Sequence, residues 1–308
     1  MSLAHVGHVE LLTPRPAESL QFFTAVLGME VVTTEGPSVY LRGYGDYERV
    51  GLKLTEAAEP GLGHLALRAR SADDLAVHVA SIDQAGAGEG WIDGDVGHGP
   101  AFRFRDPDGH LIEIYHETER QPTPAGLPKN RFGTRDGNGV SVKRVDHLNL
   151  FARDVPANRS FAQNHLGLRV LDQIVNDDGS ETAAFMTFSI SPLDVVYVVD
   201  AARRGGRLHH VAFWVDTREE VLRAADIFLD NDVPIEVAPA MHSIGQSFFL
   251  YGFEPGGNRI EVTTGADLNL DPDGPPRVWT AEERRAGIGW GTQFPSTWNS
   301  YGTPSAKE

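Results

Sequence analysis

The chain of 308 residues contains no cysteine. That excludes disulfides, thiolate metal sites and cysteine nucleophiles together, so any bound metal must sit on His, Asp or Glu. No run of about eighteen apolar residues is present, so no membrane span or membrane partner is expected. Basic residues are scarce as well: 27 Lys and Arg stand against 43 Asp and Glu, a formal net charge of −16 with no basic stripe. Such a surface repels polyanions, and nucleic acid is not an expected partner. The opening stretch "MSLAHVGHVELL" lacks the basic start and cleavage site of a signal peptide, so the chain reads as cytoplasmic.

What is present is ordinary in amount, with 41% hydrophobic and 23% charged residues, and repetitive in order. "GHVELLTPRPAESLQFFTAVLGMEVV" (7–32) resembles "DHLNLFARDVPANRSFAQNHLGLRVL" (146–171), each with a His on a strand and Leu-Gly at a helix end. "GHLALRARSADDLAVHVASIDQAG" (63–86) parallels "HHVAFWVDTREEVLRAADIFLDND" (209–232) in the same way. Both of these lead to a strand, a tight DG or GG turn, and a second strand carrying a Glu. The pattern predicts an α+β fold of four βαβββ units, at roughly 5–55, 61–117, 145–200 and 207–264. Paired, they form an N-terminal domain (1–120) and a C-terminal one (143–264), separated by a Pro- and Gly-rich linker (121–142). The aromatic tail (265–308) is expected to pack over something, as a lid.

The repeats decide which residues are equivalent. In "RLHHVAFWV" (207–215), strand alternation sends His209 and His210 to opposite faces, and His210 is the one aligned with His64. His147 aligns with His8, and the last strands supply Glu113 and Glu261. Each half therefore carries one set, His8, His64 and Glu113 or His147, His210 and Glu261. A single strand histidine is usually a satisfied core or surface residue. Two imidazoles and a carboxylate on one face, however, form the facial triad that leaves coordination positions open for substrate and oxygen.

At "VDHLNLF", "RLHHVAFWV" and "HSIGQSFFLYGFEPGGNRIEV" the chain resembles the two-domain extradiol ring-cleavage dioxygenases of the vicinal oxygen chelate superfamily, over residues 5 to about 300. The resemblance implies the glyoxalase/dihydroxybiphenyl dioxygenase-like fold of paired modules. It also implies Fe(II) held in the C-terminal half by His147, His210 and Glu261, with Mn(II) suiting the same ligands. Tyr251 and His242 would be catalytic, Tyr251 bonding a catechol oxygen and His242 beside it. Asn149, Arg285 and Trp290 would contact the substrate. The substrates implied are a catechol and O2, the product a yellow muconic semialdehyde type of compound from aromatic degradation, and the assembly a homo-oligomer, by resemblance a tetramer.

Two departures shape the expectation. In the N-terminal half, counting back from Glu113 puts Arg103 where Tyr251 stands, Gly94 where His242 stands, and Glu10 in place of Asn149. That half reads as non-catalytic. In the C-terminal half, Leu193 precedes Asp194 where the family commonly has an acid/base His, and a leucine cannot move protons. Val237 occupies the position of an arginine that relatives use for acidic side arms, so an uncharged alkyl- or aryl-catechol is preferred, with Arg284 and Arg285 as the polar alternative. The competing readings are a hydroquinone-cleaving dioxygenase, a metal-dependent isomerase or hydrolase on the same fold, and a non-enzymatic binding protein.

Overall fold

The computed structural model describes residues 2–135, 137–285, 288–290 and 293–306, with Arg285 and Trp290 described by their backbone alone. The four units appear in the expected order. The first is β1 (Leu3–Thr13), α1 (Pro16–Gln21), which runs into a π turn at Phe22–Val26, then β2 (Glu30–Glu35), β3 (Ser38–Arg42) and β4 (Leu52–Glu56). The second is β5 (Gly61–Ala69), α2 (Ala72–Gln84), β6 (Gly88–Ile92), β7 (Ala101–Arg105) and β8 (Leu111–Tyr115). The third is β9 (Arg144–Ala152), α3 (Val155–Phe161) with its own π turn at Ala162–Leu166, β10 (Arg169–Val175), β11 (Glu181–Thr187) and β12 (Val195–Val199). The fourth is β13 (Arg207–Trp214), α4 (Arg218–Asp230), β14 (Ile235–His242), β15 (Phe248–Phe253) and β16 (Arg259–Thr264). The tail adds β17 (Arg277–Trp279), α5 (Ala281–Arg285), β18 (Ile288–Trp290) and β19 (Thr303–Pro304).

Local chemistry accounts for the helix boundaries. Ser71 accepts from the Asp74 N–H to start α2, and Thr217 with Glu220 forms a reciprocal capping box on α4. The repeated Leu-Gly turns the chain out of its π segment with Gly28 and Gly167 in the left-handed region, at φ of 75° and 70°. A Cβ on Gly28 would also lie 2.4 Å from the Asn138 carbonyl oxygen, so the linker closes over that turn only because no side chain is there.

The N-terminal sheet runs β2-β3-β4-β1-β5-β8-β7-β6, and the C-terminal sheet runs β17-β10-β11-β12-β9-β13-β16-β15-β14-β18, with β19 on β13. In each, the first strands of the two units form the central antiparallel pair, β1 with β5 and β9 with β13. A flat sheet would separate β11 from β14 by six strand spacings, about 29 Å. Phe185 of β11 and His242 of β14 nevertheless line one cavity, so the sheet curls around it.

The two halves grip each other through equivalent turns. Asp108, in the turn before β8, accepts from the N–H groups of Arg153 and Asp154 and from the Asn158 side chain at the start of α3. Glu254, in the turn before β16, accepts from Ser19 of α1, and Asn258 donates to the Leu12 carbonyl. Each domain thus anchors the first helix of the other.

Buried cations fasten the tail. Arg259, 1% exposed, pairs with Glu236 and donates to the carbonyls of His209 and Tyr301. Arg207 pairs with Asp200 and donates to the carbonyls of Ser300 and Gly302. Removing one member of such a pair strands the other charge out of water, at about 3–5 kcal/mol. Arg259→Leu is therefore expected to lower unfolding free energy by that amount in denaturant titration, and to expose the segment after residue 290 to proteases. A loss under about 1 kcal/mol with an unchanged cleavage pattern would refute this account of how the tail is held.

Candidate functional site

Four adjacent strands present the site. His147 and Asn149 lie two residues apart on β9, hence on one face, and His210 pairs in register with Asn149 across the central ladder. Glu261 on β16 stands beside Ala212 of β13, and Tyr251 on β15 is directly opposite Glu261. His242 ends β14, the next strand out.

His147 Nε2 lies 3.2 Å from Glu261 Oε2, His210 Nε2 lies 3.0 Å from the same oxygen, and the two imidazole nitrogens are 3.2 Å apart. Donors about 2.1 Å from one ion stand about 3.0 Å apart at right angles, so these separations are those of three neighbouring ligands. Neither carboxylate oxygen of Glu261 makes a hydrogen bond, although Glu261 is fully buried. The imidazoles are close to the oxygens but not aligned to donate to them, and a divalent cation at the shared centre would satisfy all three side chains. The donor set fits that group.

The outer ring nitrogens are held as metal-binding histidines require. His147 Nδ1 donates to Asp146 at 2.9 Å. His210 Nδ1 is 2.7 Å from His209 Nδ1. This corrects the expectation for His209. A β-bulge between Leu208 and His210 breaks the alternation, so His209 is not turned away but braces its neighbour, buried against Trp298 and Arg259.

The electrostatics follow from burial and from Glu261. Burial lowers the pKa of His147, but the Glu261 and Asp146 carboxylates outweigh it and lift it to about 9. Burial takes His210 and His242 down to about 4. For Glu261 burial acts upward, and the neighbouring His147 overrides it, holding the carboxyl well below its ordinary range. Burial and the Glu261 charge push the Tyr251 hydroxyl well above its ordinary value, so it is a phenol and a donor. Its oxygen is 3.0 Å from His242 Nε2, and the His242 ring stacks on Phe249 at 3.8 Å between centroids.

These groups form the polar floor of a cavity with apolar walls of Ile174, Phe185, Leu193, Val196, Val198, Ile244, Phe294 and Trp298. Asn149 is on that floor with its side-chain oxygen unpartnered. Arg284 also lines the cavity and donates to Asn299, and among the described residues no carboxylate pairs with it. The side chains of Arg285 and Trp290, both expected at the substrate, lie outside the described residues. The backbone of Trp290 pairs with Met241. Sequence reasoning passed over His209, because a bulge has no signature in alternation, and it ranked Arg285 over Arg284, whose position on a five-residue helix it could not orient.

Comparison with known proteins agrees with the geometry. The family model of the Glyoxalase/Bleomycin resistance protein/Dioxygenase superfamily matches residues 5–114 and 144–262, and the chain belongs to that superfamily. It is 41% identical to the metapyrocatechase of Geobacillus stearothermophilus, covering 98% of this chain and 94% of that one. It is 33% identical to a manganese-dependent 2,3-dihydroxybiphenyl 1,2-dioxygenase of Geobacillus genomosp. 3, covering 94% and 93%. Among solved structures, homoprotocatechuate 2,3-dioxygenase of Brevibacterium fuscum in complex with 3,4-dihydroxyphenylacetate superposes with a TM-score of 0.87 at 28% identity, covering 98% and 93%.

Leu193 lines the cavity, and the neighbouring Asp194 is buried beneath its loop. The Asp194 carboxylate accepts from the Thr187 hydroxyl and the Phe188 N–H, and burial raises its pKa to about 6. Since the folded value exceeds the ordinary 3.8, ionisation costs folding free energy. Stability from this group is greatest below pH 4 and falls as pH rises to about 6, by on the order of 2–3 kcal/mol. Asp194→Asn keeps the acceptor oxygen and loses the charge. Relative to the wild type it is expected to gain stability between pH 4 and 7, read by urea midpoints across that range. A constant difference would refute the assignment.

Proposed function

We infer that the protein is an extradiol dioxygenase that opens a catecholic ring next to its two hydroxyl groups, with O2 as co-substrate. The observation that carries this is the cavity itself: one polar floor with three convergent ligands, an acid–base pair beside them, and apolar walls of a size for a ring. His147, His210 and Glu261 are the ligands of a divalent ion, Fe(II) by donor type, with Mn(II) suited to the same set. That ion, when bound, supplies Lewis acidity and brings both reactants to one centre.

The remaining work belongs to side chains. The neutral His242 accepts a proton at Nε2, and the Tyr251 phenol donates a hydrogen bond to an oxygen on the floor, stabilising negative charge there. Asn149 offers a free side-chain oxygen to a hydroxyl. His209 and Asp146 fix the ring orientation of His210 and His147. Because Leu193 cannot transfer protons, His242 is the group within reach to do so. Phe294 and Trp298 exclude water above the ring, and residues 265–308 act as the lid. The catalytic domain is 143–264, joined through 121–142 to the non-catalytic 1–120. The chain works as a cytoplasmic homo-oligomer, which sedimentation would test.

Val237 packs with Tyr251 and Trp298 without lining the cavity, and the apolar walls themselves favour an uncharged alkyl- or aryl-catechol. A second reading rests on Arg284, whose cation has no carboxylate partner among the described residues and could meet a carboxylate arm. The test is oxygen uptake with visible absorbance after anaerobic loading with Fe(II), and separately Mn(II). Catechol, 3-methylcatechol, 2,3-dihydroxybiphenyl, 3,4-dihydroxyphenylacetate and hydroquinone are compared. One O2 consumed per catechol with a yellow product is expected, lost in Glu261→Ala. In Tyr251→Phe, kcat should fall on the order of a hundredfold with metal content unchanged. Turnover of hydroquinone alone, or of no diol by the metal-loaded protein, would overturn the reading.

A further inference from the structure

The N-terminal sheet contains a second convergence of donor atoms. His8 on β1, His64 on β5 and Glu113 on β8 occupy three neighbouring strands, as His147, His210 and Glu261 do in the other half. His8 Nε2 and His64 Nε2 are 2.9 Å apart, and they lie 3.3 and 3.4 Å from Glu113 Oε1. A fourth donor arrives from the segment between β6 and β7: His98 Nε2, also 3.4 Å from Glu113 Oε1. The repeat alignment missed this residue. It stands 15 positions before Glu113, whereas His242 stands 19 before Glu261, because His98 lies within the β6–β7 loop and His242 at the end of a strand.

We propose that His8, His98 and Glu113, whose donor atoms lie within 4.8 Å of one another, bind a second divalent transition-metal ion in a non-catalytic site. The hydrogen bonds argue for a cation rather than a core of paired side chains. His98 Nδ1 donates to the Gly99 carbonyl, which leaves the Nε2 lone pair facing a carboxylate. His64 Nδ1 is 3.0 Å from the Glu10 carboxylate and donates to it, leaving its own Nε2 lone pair facing inward. His98 Nε2 and Glu113 Oε1 are buried and have no hydrogen-bond partner. His8 Nε2 and the His64 Nε2 lone pair share one hydrogen bond, and the encounter left without a partner is that of His98 Nε2 with Glu113 Oε1.

The same residues show why this centre would be inert. The other oxygen of Glu113 accepts from Arg103, which stands opposite Glu113 in the register where Tyr251 stands opposite Glu261. Two imidazoles and one carboxylate suit Zn(II), and the ion would tie β1, β8 and the His98 loop together.

Native mass spectrometry and equilibrium dialysis against Zn(II) after chelator stripping test the proposal. Two ions per wild-type chain are expected, one in His210→Ala/Glu261→Ala, and a loss of at least tenfold in the remaining affinity when His98→Ala is added. X-ray absorption on the His210→Ala/Glu261→Ala chain should show two imidazole ligands. His98 lies outside the regular strands, and circular dichroism reports whether its variant folds; wild-type stoichiometry needs no variant at all. One ion per wild-type chain with none in the double variant, or a residual ion indifferent to His98→Ala, would overturn it.

Discussion

A carboxylate buried without a hydrogen bond is the constraint from which the catalytic half is built. Taking an ionised group out of water costs several kcal/mol unless a cation or donors compensate. Glu261 has two imidazoles within 3.2 Å, and neither donates to it. The compensation has to come from the centre that all three side chains face. That requirement fixes the register of β9, β13 and β16, since a slip of one residue on any of them would carry its ligand to the opposite face.

The curl of the sheet is the second half of the same design. Convergent donors on a flat sheet would face solvent, and the metal-facing oxygens would be hydrated. Wrapping β11 and β12 on one side and β15 and β14 on the other encloses the donors within apolar walls, where hydrogen bonds from Tyr251 and His242 act in a low dielectric. The tail completes the enclosure. It is held by Arg259 and Arg207 through its backbone carbonyls, and by its own Arg277 and Trp279, which both donate to Asp172.

Duplication gave two copies of this scaffold, and a few side chains separate their fates. The strands, the bulged central pairing and the glutamate are common to both. Tyr251 and Arg103 occupy the same place beside the glutamate, one a donor toward substrate and the other a cation locked onto the carboxylate. His242 stands back from its glutamate at 3.9 Å and bonds Tyr251, whereas His98 comes within 3.4 Å of Glu113. One arrangement sets its histidine back to bond a phenol, and the other turns it onto the carboxylate.

Much of this was legible in the chain alone. The four units and the equivalence of His147 with His8 and of His210 with His64 follow from period-two alternation and from spacings repeated between halves, while the places of Tyr251, His242 and Leu193 came from the resemblance to the extradiol dioxygenases. Such signals are local, or compare like with like along the chain. Where a donor comes from a loop, as His98 does, comparison of strand positions did not reach it. Where a bulge interrupts alternation, as at His209, it assigned the wrong face. The choice between Arg284 and Arg285, and the docking of Trp298 and Phe294 over the cavity, depend on where the tail is tied down by residues more than thirty positions away. The sequence by itself determined which residues share a strand face. Only the tertiary structure decided which faces meet, because sheet curl and tail docking are set by contacts between segments that carry no periodic relation to each other.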